Sequence, residues 1–165
     1  MTRSFRYPPR SLAFGYAGSG AGIVVSLGFL GWVELAAPVA WATTAAAALF
    51  LVYFARTVCR QLTRIELDET GIRVEGPAAG LLSGAIRWDE LRLLELDYYS
   101  TRRDPEGRTM EGGWMQLKLR GGGQTIRIDS ELDGFAALAR AAAQAAASRG
   151  LALDPATLSN LEAIR

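Results

Sequence analysis

Two apolar stretches, residues 12–33 and 39–58, separated by a short turn that contains Pro38, constrain this chain more than anything else in it. Each is about 20 residues long, and a helix of that length, rising about 1.5 Å per residue, crosses a hydrocarbon layer about 30 Å thick. No Asp, Glu, Lys or Arg lies deep inside either stretch, so neither carries the buried charge that marks an ion or proton path. The expected element is a transmembrane α-hairpin over 12–60. A signal peptide has an apolar core of only about 7–15 residues. The weak cleavage-like run Val39-Ala40-Trp41-Ala42 is therefore read as part of the second span.

The basic residues set an orientation. Arg3, Arg6 and Arg10 lie in the N-terminal segment 1–11; Arg56, Arg60 and Arg64 flank the end of the second stretch; the turn 31–38 has no basic residue. Arginine and lysine concentrate on the cytoplasmic side of short loops, which places both chain ends there. A two-span hairpin requires its two flanks to agree, and they do.

The first stretch is rich in small residues. Gly18, Gly22 and Ser26 fall four apart, as do Ala13, Ala17 and Ala21, and the second stretch has Ala40, Thr44 and Ala48 at the same spacing. Residues i and i+4 share a helix face, and small faces let helix backbones approach closely enough for van der Waals contact that lipid cannot supply. Two uses are open. The hairpin's own helices can pack through these faces, or a surplus face can dock on another membrane protein or a second copy of the chain.

From Thr63 the apolar period changes to two. Ile65 and Leu67, then Ile72 and Val74 after the turn Asp68-Glu69-Thr70-Gly71, alternate with charged residues, the pattern of a half-buried β-hairpin. Ile86 and Trp88, then Leu94, Leu96 and Tyr98, then Met115, Leu117 and Leu119, then Ile126 and Ile128 continue it, the last two segments joined through Gly121-Gly122-Gly123. Six antiparallel strands are expected. Leu81 and Leu82 lie in a Gly- and Ala-rich loop, where they can cover a core edge or touch a bilayer. Ser130, with Asp133 three residues on, is the expected cap of a helix whose inner face is Leu132, Phe135, Ala136, Ala139, Ala142, Ala143 and Ala146. Gly150 ends it, closing a domain over 61–150, and Asp154-Pro155 opens one more short helix in the tail 151–165.

Composition narrows the chemistry. The chain has no histidine and a single cysteine, Cys59, which removes the commonest general base, the commonest zinc ligand and any intrachain disulfide. No nucleophile elbow or phosphate loop is present. The acids at Asp89-Glu90 and at Asp129, Glu131 and Asp133 sit at a strand end and a helix start, where they serve structure. No catalytic residue, metal or cofactor is expected. From Thr63 on there are thirteen basic against sixteen acidic residues, the wrong sign for nucleic acid.

The most unusual loop spans 100–113. It is long for a hairpin connection, carries Arg102, Arg103 and Arg108 among acids, and is bordered by Tyr99 and Trp114. Strict alternation points Trp114 outward. Long loops are either functional or simply solvated, so Tyr99, Arg102, Arg103, Arg108 and Trp114 are a candidate partner-binding group.

Three local motifs, 67–74 (Leu-Asp-Glu-Thr-Gly-Ile-Arg-Val), 86–91 (Ile-Arg-Trp-Asp-Glu-Leu) and 113–117 (Gly-Trp-Met-Gln-Leu), occur in an order that resembles the bacterial pleckstrin-homology-like family over about residues 63–149. The resemblance implies an α+β chain: a transmembrane hairpin, then a mostly antiparallel β-barrel or sandwich closed by a C-terminal helix, held at the bacterial cytoplasmic membrane. The family's usual seventh strand is not distinct here. The resemblance also implies binding rather than catalysis. The acidic turn at Asp68-Glu69 would repel a phosphate, so two readings are carried: an accessory subunit or assembly factor of a larger membrane complex, and a domain that senses lipid or a small ligand at the membrane surface.

Overall fold

The computed structural model describes residues 2–77, 83–100 and 113–164. The chain forms two compact units, one of residues 7–62 and one that joins the residues before Tyr7 to those from Thr63 on.

The first unit is a helical hairpin. After strand β1 (Arg3–Arg6), Pro8 and Pro9 start α1 (Pro9–Trp32), where the missing proline amides fall at positions that need no intrahelical partner. The second helix, α2, runs Ala37–Leu62, and both are long and apolar enough to cross a membrane. The packed line on α1 is Gly15, Ser19, Gly22 and Ser26, with spacings of four, three and four. Ser19 and Ser26 are buried, Gly15 faces Thr57, and a Cβ on Gly22 would meet the Phe50 ring at 2.5 Å. Alternating steps of three and four average 3.5 residues, the period of a left-handed two-helix seam. Tyr16 meets Phe54 edge-on, with ring centroids 5.5 Å apart, and its hydroxyl donates to Gln61 Oε1. The hydroxyls of Ser19, Thr43, Thr44 and Thr57 each donate to a carbonyl four residues back in their own helix, which satisfies them without water.

The expected small-residue faces are therefore split. Gly22 and Ser26 lie in the seam, but Gly18 has nothing within 4 Å of a Cβ position, and Ala13, Ala17 and Ala21 are exposed. On α2, Thr44 and Ala48 are exposed too, and Ala47, Phe50 and Thr57 do the packing. A spacing of four drifts across a helix face within two turns, whereas the 3–4 alternation stays on it.

The second unit carries two antiparallel sheets. One has the order β1-β2-β3-β4, with β2 Arg64–Leu67, β3 Gly71–Glu75 and β4 Gly84–Arg87; the other is β5 (Leu91–Ser100), β6 (Gly113–Gly121) and β7 (Gln124–Asp129). Six strands were expected and seven are described. The additional one is β1, taken from the segment ahead of the hairpin and paired Arg3 to Leu67 through Arg6 to Arg64. Its sequence, Arg-Ser-Phe-Arg, has one apolar residue and no readable alternation, so pairing and not propensity makes it a strand.

Ile65, Ile72, Ile86, Leu96, Leu117, Leu119 and Ile128 fill the core and are covered by Leu138, Ala139, Ala142 and Ala146 of α3 (Phe135–Ser148). Gly71 is required by close approach: a Cβ there would sit 2.3 Å from the Ile86 carbonyl oxygen. At the junction of the two sheets the Ala85 amide donates to Gln124 Oε1 at 2.9 Å, and among the described residues no strand ladder joins the sheets into a closed barrel. Trp88, expected on a strand, begins a 3-10 turn, and its indole N–H donates to the Asp68 carbonyl at 3.2 Å.

The cap of α3 differs from expectation. Gly134, at φ +76°, precedes the helix, and Ser130 instead prolongs β7, its hydroxyl accepting from the Met115 amide at 2.9 Å and its amide donating to the Met115 carbonyl at 2.8 Å. A Cβ on Gly134 would strike the Phe5 ring of β1 at 2.8 Å. The tail helix α4 (Pro155–Ala163) starts as the sequence indicates, with Asp154 accepting from the Thr157 amide at 2.8 Å.

Candidate interaction site

Alternation along β5 and β6 sends Leu94, Leu96, Met115, Leu117 and Leu119 into the core and the residues between them outward. The outer face of the β5-β6-β7 sheet consequently forms rows. At one end Tyr99 and Trp114 are directly opposed, stacked with ring centroids 4.6 Å apart and planes 19° apart, and remain 43% and 39% exposed. The next row is Asp97, Gln116 and Asp129, in which Gln116 Nε2 donates to Asp129 Oδ1 at 3.1 Å. Beyond it Glu95, Lys118 and Arg127 align, and Lys118 Nζ lies 2.6 Å from Glu95 Oε2 with both side chains largely covered. Each of these polar rows makes one cross-strand contact, Gln116–Asp129 and Lys118–Glu95; the aromatic row turns an apolar surface to solvent.

Behind the aromatic row Tyr98 points the other way. Its hydroxyl is buried with no hydrogen-bond partner among the described residues, and its ring occupies the space a Cβ on Gly113 would need. Arg102, Arg103 and Arg108, grouped with Tyr99 and Trp114 on sequence grounds, lie outside the described residues, as do Leu81 and Leu82.

The flanking arginines fall in two settings. In the hairpin, Arg10 is in α1 and Arg56 and Arg60 in α2, with the Arg60 guanidinium 4.6 Å from the Tyr7 ring centroid. In the sheet, Arg3 and Arg6 lie on β1 and Arg64 on β2, and Arg6 and Arg64 are directly opposed and exposed. The first hairpin turn is structural: Asp68 Oδ1 accepts from the Thr70 hydroxyl, the Thr70 amide and the Gly71 amide, which together hold its carboxyl below the usual carboxylate range.

Two features escaped sequence reasoning. The pairing of β1 with β2 joins residues separated by the whole hairpin, and the grip of Thr157 and Asn160 on the Leu96 backbone joins residues more than sixty apart. Only the helix-start signal at Asp154-Pro155 hinted at the second. No protein-family model, curated protein or solved structure matches this chain.

Proposed function

We propose that this chain is a non-enzymatic, membrane-anchored interaction module: an accessory subunit or assembly factor of a larger bacterial membrane complex, with both chain ends and the β domain on the cytoplasmic side. The observation that carries this reading is the stacked, half-exposed Tyr99–Trp114 pair on a face whose two neighbouring rows each make a polar cross-strand contact. Aromatic side chains left open to water forfeit roughly 25 cal/mol per Å² that a partner surface recovers, and Tyr and Trp are enriched where protein partners meet. The β1–β2 pairing supports the topology, because the segments entering and leaving the hairpin are neighbours in one sheet. Seven strands in a four-plus-three arrangement followed by α3 support the pleckstrin-homology-like reading of the domain, with β1 supplying the strand that residues 63–149 lack.

A second reading, contact with anionic lipid, is favoured by one observation. Arg6 and Arg64 face each other across β1 and β2, a like-charge pair that a negative surface relieves.

Purification of the C-terminally tagged chain from its native membranes in mild detergent, followed by mass spectrometry, separates the two. Near-stoichiometric partners that are lost in Tyr99→Ala/Trp114→Ala identify a subunit or assembly factor. Recovery of the chain alone, together with liposome flotation that drops in Arg6→Gln/Arg64→Gln, sinks that reading in favour of lipid.

A further inference from the structure

Among the described residues the strand β5 has β6 on one side and no strand on the other. An open edge presents unpaired amides and carbonyls, and proteins cover or blunt such edges. Here α4 covers it. The Leu96 amide donates to Thr157 Oγ1 at 3.0 Å, and the Leu96 carbonyl accepts from Asn160 Nδ2 at 2.6 Å. The outward donor and acceptor of one residue are thus both satisfied, as a neighbouring strand would satisfy them. Thr157 is oriented for this by Asp154, whose Oδ2 accepts the threonine hydroxyl proton at 2.7 Å while Oδ1 accepts the Thr157 amide at 2.8 Å. The hydroxyl therefore donates to Asp154 and accepts from Leu96, and both its capacities are used.

The contacts that fix α4 to the strand are largely polar. Thr157 is its one buried residue, Leu161 is half-buried, and Leu158 is 49% exposed. Hydrogen bonds of this kind exchange with water for little net gain, whereas α3 is fixed by Phe135, Leu138, Ala139, Ala142 and Ala146, all buried. The connection from α3 to α4 begins at Gly150, in the left-handed region at φ +67°. An element tied to the sheet by two side-chain hydrogen bonds and little buried apolar surface, on a short connection, is held less firmly than α3.

We propose that the edge of β5 at Leu96 is a docking site for an extended segment of a protein partner, and that α4 occupies it in cis as an internal ligand. Recognition would be by strand addition, in which main-chain hydrogen bonds supply affinity and alternate side chains supply selectivity. Beside Leu96 on the outer face stand Glu95, already held by Lys118, and Asp97, which makes no ion pair among the described residues. The incoming segment is therefore one with Arg or Lys opposite Asp97. A second copy of β5 is disfavoured, because antiparallel pairing about Leu96 would set Asp97 against Glu95. This edge is distinct from the Tyr99–Trp114 face and does not depend on its role.

The test uses the full chain in lipid nanodiscs, hydrogen exchange read at single amides, and a capped heptapeptide alternating valine and arginine as the probe. In Thr157→Val/Asn160→Leu, the Leu96 amide is expected to exchange at least tenfold faster than in the parent, with Leu117 unchanged. The heptapeptide is expected to bind this variant at least tenfold more tightly than the parent, restoring protection at Leu96, while the same peptide with glutamate for arginine does not. Equal binding to parent and variant, or binding that leaves Leu96 unprotected, overturns the proposal. So does no binding to a variant that keeps Leu117 protected. Should the double variant lose protection at Leu117, a chain ended after Gly150 opens the same edge by another route, and the same results are required of it.

Discussion

The hairpin and the sheet domain use the same kinds of residue turned inside out. In the domain Leu96, Leu117, Leu119 and Leu138 are wholly buried and the charged residues point outward. In the hairpin Phe14 and Trp32 are 90% and 93% exposed, while the buried residues of the two helices, Leu12 apart, are the small Ser19, Ser26, Ala47 and Thr57. Burial of apolar area from water explains the first arrangement. The second is unstable in water, where so continuous an apolar surface would drive association, and makes sense where the surroundings are themselves apolar and association is governed by close packing. The two units therefore answer to different solvents.

The largest effect that separates them is on their cores. Leu117→Ala should cost the domain about 3 kcal/mol, since it removes a fully buried side chain and leaves a cavity, whereas Val24→Ala on the outside of α1 should change hairpin stability by under about 0.5 kcal/mol. Denaturant unfolding of the two variants in mixed micelles measures both, and comparable losses would erase the contrast.

Within the hairpin, Gly22→Leu drives a side chain into the Phe50 ring and should cost about 1–3 kcal/mol. Gly18→Leu meets open space and should leave the seam intact. Reversible unfolding of the pair, read by a probe across α1 and α2, sharpens the claim that a 3–4 line and not a four-residue spacing makes the seam; equal losses would contradict it.

A smaller effect is expected where a single polar contact is lost in the domain. Thr157→Val leaves the Leu96 amide without its acceptor, at a cost of about 1–2 kcal/mol, visible as a lowered unfolding midpoint and absent if water replaces the hydroxyl.

The smallest concerns acid. The Thr157 hydroxyl and amide bonds hold the Asp154 carboxyl below its ordinary range. Its folded pKa lies under its unfolded one, so its contribution is present above the ordinary carboxylate range and fades as pH falls through the depressed value. Hydrogen exchange at Leu96 should therefore quicken on acidification relative to Leu117, beyond the intrinsic pH dependence of exchange, and that difference should vanish in Asp154→Asn. The hairpin contains no comparable carboxylate network in its spans and should show no such response.

Much of this was legible in the sequence because local periodicity carried it. Ile65, Ile72, Leu96, Leu117 and Ile128 announced inward positions by alternation, Asp68 and Gly71 announced a turn, and Asp154-Pro155 a helix start. What escaped were choices made by distant partners. Arg3–Arg6 is a strand because β2 offers it an edge, and four residues with one apolar side chain contain no trace of that. Ser130 fits a helix cap equally well by local rules, but the Met115 backbone claims its hydroxyl first. On the small-residue faces, a reading in fours placed Gly18 beside Gly22, and only Phe50 of α2 tells them apart. At the candidate site, the outward Trp114 followed from alternation, while its stacking on Tyr99 depended on cross-strand register.

In the proposed topology a membrane surrounds the hairpin, with the turn on one side and both chain ends on the other. Single cysteines placed at Ser4, Glu34 and Ser148 in a Cys59→Ser background test it through a membrane-impermeant maleimide. In inverted membrane vesicles the Ser4 and Ser148 positions should label and the Glu34 position should label only after detergent, with the reverse pattern in right-side-out vesicles. Labelling of all three positions from the same side would contradict it.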